Sequence, residues 1–383
     1  MVQFCAGWDG SSLSALSIVN GFRRRGWKTR VVFGNPGEVA DEFRSQGIET
    51  QVLPHKSWLR TDSIPRFLRI MWQEMRNAAQ FRSLFADRQS ELVYINTATG
   101  LCAAVAARRA GLPCIWHMRE QLSHVGGELK IPGVFRSWLP SFCRRHAQEM
   151  VFNTEVARAG MIGEGGGGKV IPIGVPDPLG DEEWTPDDSR RELGLSMSGK
   201  IIGVPGGLRP VKGHDWFFRS VAPLMSERDD LTVAVAGDGD PEFRAGLDSL
   251  VAELGIQARV KFLGAVKAMG RFYRACDLIC IPSRSETFGR CAVEAMACQT
   301  PVVASRVGGL ATLVRHEQNG LSVPFGSVAE MTNALGRLLD DRELAGRCVV
   351  AGRADYGEHF GETVYQDKVC DLADEVWTAA SLK

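Results

Sequence analysis

The sequence predicts an α/β fold in two parallel-sheet domains, and three observations carry that expectation. Short apolar runs such as residues 278–281 and 301–305 alternate with helical stripes, joined by loops that carry glycine. A stretch holding Pro176, Pro178, Pro186 and five acidic residues (177, 181, 182, 183, 187) interrupts that alternation and reads as a linker. The alternation then restarts with a strand at residues 201–204. At 383 residues and 44% hydrophobic content, the chain is also long for one core.

Bulk composition bounds the function. Formal charge is zero, so no nucleic-acid partner is demanded. The halves differ: residues 1–177 carry 22 Lys+Arg against 15 Asp+Glu, leaving 23 against 30 in the remainder of the 45 and 45. A basic half beside an acidic half fits one domain meeting an anionic partner. Ten cysteines are scattered without paired CxxC spacing, so neither a zinc site nor a disulfide framework is expected. No window reaches 18 apolar residues and residues 1–5 are too short for a signal h-region. A cytoplasmic chain that does not span the membrane is expected, with peripheral contact at the membrane's inner face as an open alternative.

The first elements are a strand at 2–5, a turn at Gly7-Trp8-Asp9-Gly10, and a helix capped by Ser11 or Ser12. Its stripe is Leu13, Leu16, Ile18, Val19 and Phe22, and Gly26 ends it before a strand at 29–33. Strand, glycine turn and helix N-terminus together make an anion site in some α/β folds and none in others. Residues 55–88 hold seven cations (56, 60, 66, 69, 76, 82, 88) against three acids, interleaved with Trp58, Phe67, Leu68, Ile70, Met71, Trp72 and Met75. Two readings stay open there: a helix resting on anionic lipid, or an ordinary helix covering the sheet with a solvated arginine face. A strand at 92–95, a small-residue helix at 101–110 and a strand at 113–116 follow. His117 is expected at the carboxyl end of that strand, with Arg119 and Glu120 as weaker candidates. Gly163-x4-Gly168-Lys169 approaches a P-loop, but Val170 holds the Ser/Thr place and a strand follows, so it is rejected.

In the second domain the strand at 201–204 leads into Gly206-Gly207-Leu208-Arg209-Pro210-Val211-Lys212-Gly213 and a helix at 214–225. Two cations and three glycines at a strand's end suit a diphosphate, although a solvated basic turn is the plain alternative. Strands at 231–236 and 260–264 end in Gly237-Asp238-Gly239 and at Gly264. After the strand at 278–281, a short loop carries Glu286. A helix at 291–298 is apolar all round except for Glu294. A lone carboxylate there is costly unless donors meet it. A salt bridge to Arg290 one turn back is the plain reading. The sharper one starts from ligands sitting at the carboxyl ends of parallel strands. There Glu286 and Glu294 would accept hydroxyl hydrogen bonds, while Phe288, Gly289 and Arg290 offer backbone N–H groups. The last stretch, 356–383, has helical spacing.

Glu286-x7-Glu294, with Phe288-Gly289 inside it and Pro301-Val302-Val303 and Gly308-Gly309 after it, resembles the donor site of the family 4 retaining glycosyltransferases. That resemblance implies the GT-B fold: α/β, with two Rossmann-like parallel-sheet domains facing a central cleft. Residues 1–177 would bind acceptor, 178–357 the nucleotide sugar, and 358–383 would form a helix crossing back to the first domain. It implies that Lys212 contacts the diphosphate, that Glu286 holds sugar hydroxyls, and that Glu294 holds the ribose. Gly10, with Gly7, would border donor phosphates and acceptor; His117 would lie near the transferred sugar; the segment at Gly264 would lie near the nucleobase. The sequence departs from the family where Gly207 stands in place of an arginine, leaving Arg209 as a substitute two residues on, and where Ile173 replaces the usual asparagine.

The function so implied is retaining transfer of a sugar from a UDP- or GDP-linked donor to a saccharide, glycolipid or small-molecule acceptor. Neither cofactor nor metal is implied, since lysine and arginine take the metal's role. A non-catalytic GT-B-like binding subunit and a nucleotide-sugar hydrolase or epimerase on the same fold are the alternatives.

Overall fold

The computed structural model describes residues 1–383 except 4–9, 56–58, 60, 87–89, 121–129, 181–183 and 383. Residues 7–9 of the turn expected at Gly7-Trp8-Asp9-Gly10, three members of the basic stretch (Lys56, Arg60, Arg88) and the acidic run 181–183 lie outside the described residues. The chain forms two compact units, Met1–Gly174 with Glu362–Lys383, and Val175–Gly361.

The first unit's strands are β1 (Val2–Gln3), β2 (Arg30–Phe33), β3 (Glu49–Val52), β4 (Val93–Ile95), β5 (Cys114–Met118), β6 (Glu149–Phe152) and β7 (Lys169–Val170). They form one sheet in the order β3-β2-β1-β4-β5-β6-β7, with every pairing parallel. The interior strands are mostly apolar, as covering both faces with helices requires, with Gln3, Arg30, His117 and Glu149 as their polar members. Helices α1 (Gly10–Arg24), α2 (Ile64–Phe85), α3 (Leu101–Ala110) and α4 (Trp138–His146) belong to this unit. Its C-terminal helix, Glu362–Ser381, packs Tyr365, Val369, Leu372 and Ala373 on Ile18 and Phe22 of α1 and on Tyr94, Ile115 and Val151 of the sheet. Gly21 permits that approach, since a Cβ there would stand 2.9 Å from Gln366 Cβ.

The second unit's strands are β8 (Lys200–Pro205), β9 (Leu231–Ala236), β10 (Val260–Gly264), β11 (Leu278–Ile281), β12 (Val302–Ser305) and β13 (Leu321–Val323). Their order is β10-β9-β8-β11-β12-β13, again all parallel. Chain order therefore reverses between β8 and β11, the place in a doubly wound sheet where loops diverge and leave a crevice. Helix α5 (His214–Glu227) follows β8, and α6 (Arg290–Ala297) follows β11. Phe217, Phe218 and Val221 of α5 pack on Val204, Val233 and Val235. Of the eight residues of α6, Ala292, Val293, Ala295, Met296 and Ala297 are buried.

Candidate functional site

The site is built on the two strands that flank the reversal in the second sheet. From β8 the chain enters Gly206–Gly213 before α5; from β11 it enters residues 282–289 before α6. Gly213 has φ +68°, and a Cβ there would lie 2.0 Å from the Pro282 carbonyl oxygen, so only glycine lets the two loops touch. The Arg284 amide donates to Val211 O (2.8 Å), and the Gly309 amide donates to Glu286 O (2.8 Å). Ser305 Oγ donates to Ser283 O (2.5 Å). The loop bearing Glu286 is thus tied to β8's loop on one side and to β12's on the other. Gly308, at φ +48°, comes so near that a Cβ would stand 2.0 Å from Glu286 O.

Within that frame Lys212 Nζ donates to Glu286 Oε2 at 2.6 Å, with each side chain 19% exposed. Glu294 receives two donors, Arg290 Nε on Oε1 and Tyr273 Oη on Oε2, both at 2.7 Å. The plain reading of Glu294 as Arg290's ion-pair partner is what this geometry contains. A carboxylate on the apolar helix is tolerated because both of its oxygens have partners. Burial, followed by the neighbouring Cys291 and Glu294, raises the Tyr273 hydroxyl well above its ordinary range, so it stays a donor. Nothing in the sequence marks Tyr273, which stands between Phe272 and Arg274 in the short helix Met269–Ala275 and meets Glu294 only after folding.

The remaining candidates of this unit take different parts. Arg209 is exposed and makes no ion pair among the described residues. Gly207 lies against the β9 turn, where a Cβ would sit 3.2 Å from Asp238 O, and the Leu208 amide donates to that same oxygen at 2.8 Å. Gly264 ends β10 at φ +70°; its carbonyl accepts from the Gly237 amide (2.8 Å). Phe288 is buried and packs edge-on to Phe360, with ring centroids 6.0 Å apart. Gly289 caps α6 in a left-handed conformation, φ 105°, and Arg290 begins the helix. Gly10 and His117 belong to the first unit.

His117 requires a correction. It does not follow its strand with an open ring. Pairing with β6 continues through His117–Val151 and Met118–Phe152, so β5 runs two residues further than the sequence suggests. The ring is 0% exposed; Nδ1 bonds Tyr94 Oη (2.6 Å) and Nε2 bonds Asn153 Oδ1 (2.8 Å). Burial first, then the Arg119 charge, hold its pKa well below the usual histidine range. Arg119 itself, 6% exposed, donates from Nε to Asn96 Oδ1 (2.7 Å) and from Nη2 to Tyr365 Oη (2.5 Å). Glu120 accepts from Thr97 Oγ1 (2.5 Å) and from the Ala98 amide (2.9 Å). Asn96, Asn153 and Tyr365, which complete this polar network, carry no sequence signal.

Residues 199–341 match the family model described as glycosyl transferases group 1, and residues 9–174 match the glycosyl transferase 4-like domain. The chain is 38% identical over 204 residues to the D-inositol 3-phosphate glycosyltransferase of Stackebrandtia nassauensis, covering 50% of this chain and 45% of that protein. It is 40% identical over 195 residues to the protein of the same name from Salinispora tropica, covering 49% and 40%. It therefore spans less than half the length of these curated relatives. Among solved structures, Anabaena HepE in complex with UDP and glucose superposes with a TM-score of 0.79 at 23% identity, covering 97% of each chain. A glycosyltransferase from Rickettsia africae gives 0.81 at 17% identity, covering 98% of this chain and 97% of that one. These likenesses establish the GT-B fold, with its two Rossmann-like domains.

Proposed function

The chain belongs to the group 1, GT4-like glycosyltransferases, and from that premise we propose that it transfers a sugar from a UDP- or GDP-linked donor with retention of anomeric configuration. The observation that carries this reading is the Lys212–Glu286 pair, set on the strands flanking the sheet's reversal, with Glu294 held nearby on α6. Donor binding would divide the pair: the diphosphate takes Lys212 as partner while sugar hydroxyls donate to Glu286. Lys212, Arg209 and the N-termini of α5 and α6 aim positive potential at the charge that develops on the departing diphosphate. These cations stand where a metal ion would otherwise serve. With the leaving group's own oxygen able to take the acceptor's proton on the same face, no protein nucleophile is needed. Glu294 accepts from the ribose hydroxyls, and the first unit binds the acceptor, a saccharide, glycolipid or small hydroxyl compound. HepE in complex with UDP-glucose, at 23% identity, supports a UDP-sugar as the first donor to try.

Thermal unfolding against a panel of nucleotide sugars tests this. A matching donor at a hundredfold excess over Kd adds about 3 kcal/mol, a rise of several degrees. If no UDP- or GDP-sugar moves the transition, and Glu294→Ala leaves turnover intact, the proposal is wrong. Arg209's exposure and the glycine at position 207 favour a second reading, a binding subunit without turnover. Its signature is stabilisation by a donor that is never consumed, whatever acceptor is offered.

A further inference from the structure

Helix α2 is apolar on two sides. One side buries Phe67, Ala78, Phe81 and Phe85 in the first unit's core. A second stripe, Ile64, Leu68, Trp72 and Met75, faces out, with exposures of 44%, 51%, 59% and 36%. Spacings of four, four and three residues put these side chains on one line. Beside them stand Arg66, Arg69, Arg76 and Arg82, all exposed, while the helix's one acid, Glu74, is buried. The Arg76 guanidinium lies over the Trp72 ring, 4.7 Å from its centroid. Met75 also lines a pocket of about 470 Å³ together with Trp138, Phe142, His146, Arg108, Arg109 and Arg145. Arg108 Nη1 donates to Arg145 O, which ties the end of α3 to α4.

We propose that this face docks on an anionic lipid bilayer: the α2 stripe enters the headgroup boundary, and the Arg108/Arg109/Arg145 pocket takes a lipid phosphate. Tryptophan and aliphatic side chains between arginines match an interface that is apolar beneath and negative above. Guanidinium groups pair phosphate oxygens through two parallel hydrogen bonds, and the apolar walls suit the start of an acyl chain. A second copy of the chain would set arginine against arginine. A nucleic acid would leave the four-residue apolar stripe unused. The inference stands apart from sugar transfer: it says where the chain works, whatever it transfers.

Sedimentation of the full chain with vesicles tests it. We expect binding to equal parts phosphatidylcholine and phosphatidylglycerol, none to phosphatidylcholine alone, and weakening as salt rises. The double variant Leu68→Ala/Trp72→Ala lowers the partition coefficient on the order of tenfold or more. Arg109→Ala and Arg145→Ala each lower it about fivefold on anionic vesicles. All four positions are surface ones, so unchanged thermal unfolding of the variants confirms that they fold. Absence of binding to anionic vesicles overturns the proposal, as does binding that these variants leave unchanged. Light scattering that finds a dimer dissolved by Trp72→Ala would assign the face to a second copy. Capture of a single-stranded oligonucleotide, lost with the same variants, would assign it to nucleic acid.

Discussion

Both sheets reverse direction in the same strand order, yet the polar groups at the carboxyl ends of their strands differ in kind. In the second unit they are charged and open: Lys212 and Glu286 at 19% exposure each, and Glu294 at 13%. In the first unit they are buried and mostly neutral: His117 and Asn96 at 0%, with Arg119 at 6%. His117 is locked between Tyr94 and Asn153. A charged pair with access to solvent can exchange water, or each other, for a ligand at modest cost. A neutral ring with both nitrogens used cannot. The two sets of strand ends therefore differ in what a ligand would have to displace: a solvent-reaching ion pair in one, a closed hydrogen-bond network in the other.

The largest expected effect tests the open side. Lys212→Ala removes the cation nearest Glu286, and turnover of the matching donor should fall a hundred- to a thousandfold, about 3–4 kcal/mol. Thermal stability should change little, because the pair is partly solvated. Near-normal turnover in this variant would show that the charge of Lys212 is not directed at the leaving group.

The next test addresses the closed side. His117→Leu leaves the Tyr94 hydroxyl and Asn153 without their ring partner, a loss of about 3 kcal/mol if each unsatisfied group costs between 1 and 3. Urea unfolding should register that loss, while kcat per folded molecule stays unchanged. A folded His117→Leu protein with no turnover would break the comparison and return the histidine to the reaction.

Acid sharpens it further. His214, at the start of α5, is 0% exposed, and neither ring nitrogen has a hydrogen-bond partner among the described residues. Burial, then the Lys212 charge, lower its pKa to about 4. The unfolded chain, with histidine near its ordinary 6.5, takes up a proton that the folded chain refuses. Stability from this group is therefore complete above pH 6.5 and declines as the pH falls toward 4. At pH 5 the loss should be about 2 kcal/mol, and His117 acts in the same direction. The gap between urea midpoints at pH 7 and pH 5 should narrow in His214→Phe, with His117 leaving a remainder. An equal drop in both proteins would mean that other groups carry the acid sensitivity.

How far the sequence discloses these features depends on whether a signal is local. Strands β11 and β12 are legible as apolar runs because both faces are buried, and α6 is legible because only Glu294 interrupts it. The pairing of Lys212 with Glu286 spans 74 residues, and only the logic of strand ends brings them together. Strand β3, Glu-Thr-Gln-Val at the sheet's edge, has no apolar run and gives no such signal. The end of β5 is misjudged because His117 looks like a loop residue until Tyr94 and Asn153, 23 and 36 positions away, close round it. Helix α2 left two readings open; its inner stripe covers the core as an ordinary helix does, while its outer stripe remains bare. Composition alone cannot tell one stripe from two, since that depends on which neighbours arrive.

The smallest effect probes the one member of the site that no sequence pattern marks. Tyr273→Phe removes the donor on Glu294 Oε2 and leaves Arg290 Nε on Oε1. Glu294 retains 13% exposure, so water can reach the vacated oxygen, and the stability loss should be about 1 kcal/mol. If Tyr273 serves only to aim the carboxylate at the ribose, donor affinity should weaken by a similar amount, about fivefold, with kcat unchanged. Steady-state kinetics with the donor identified by thermal shift separates the possibilities. A fall in kcat at constant KM would mean that the Glu294 contact strengthens only in the transition state, which would place this carboxylate with Lys212 in the chemical step.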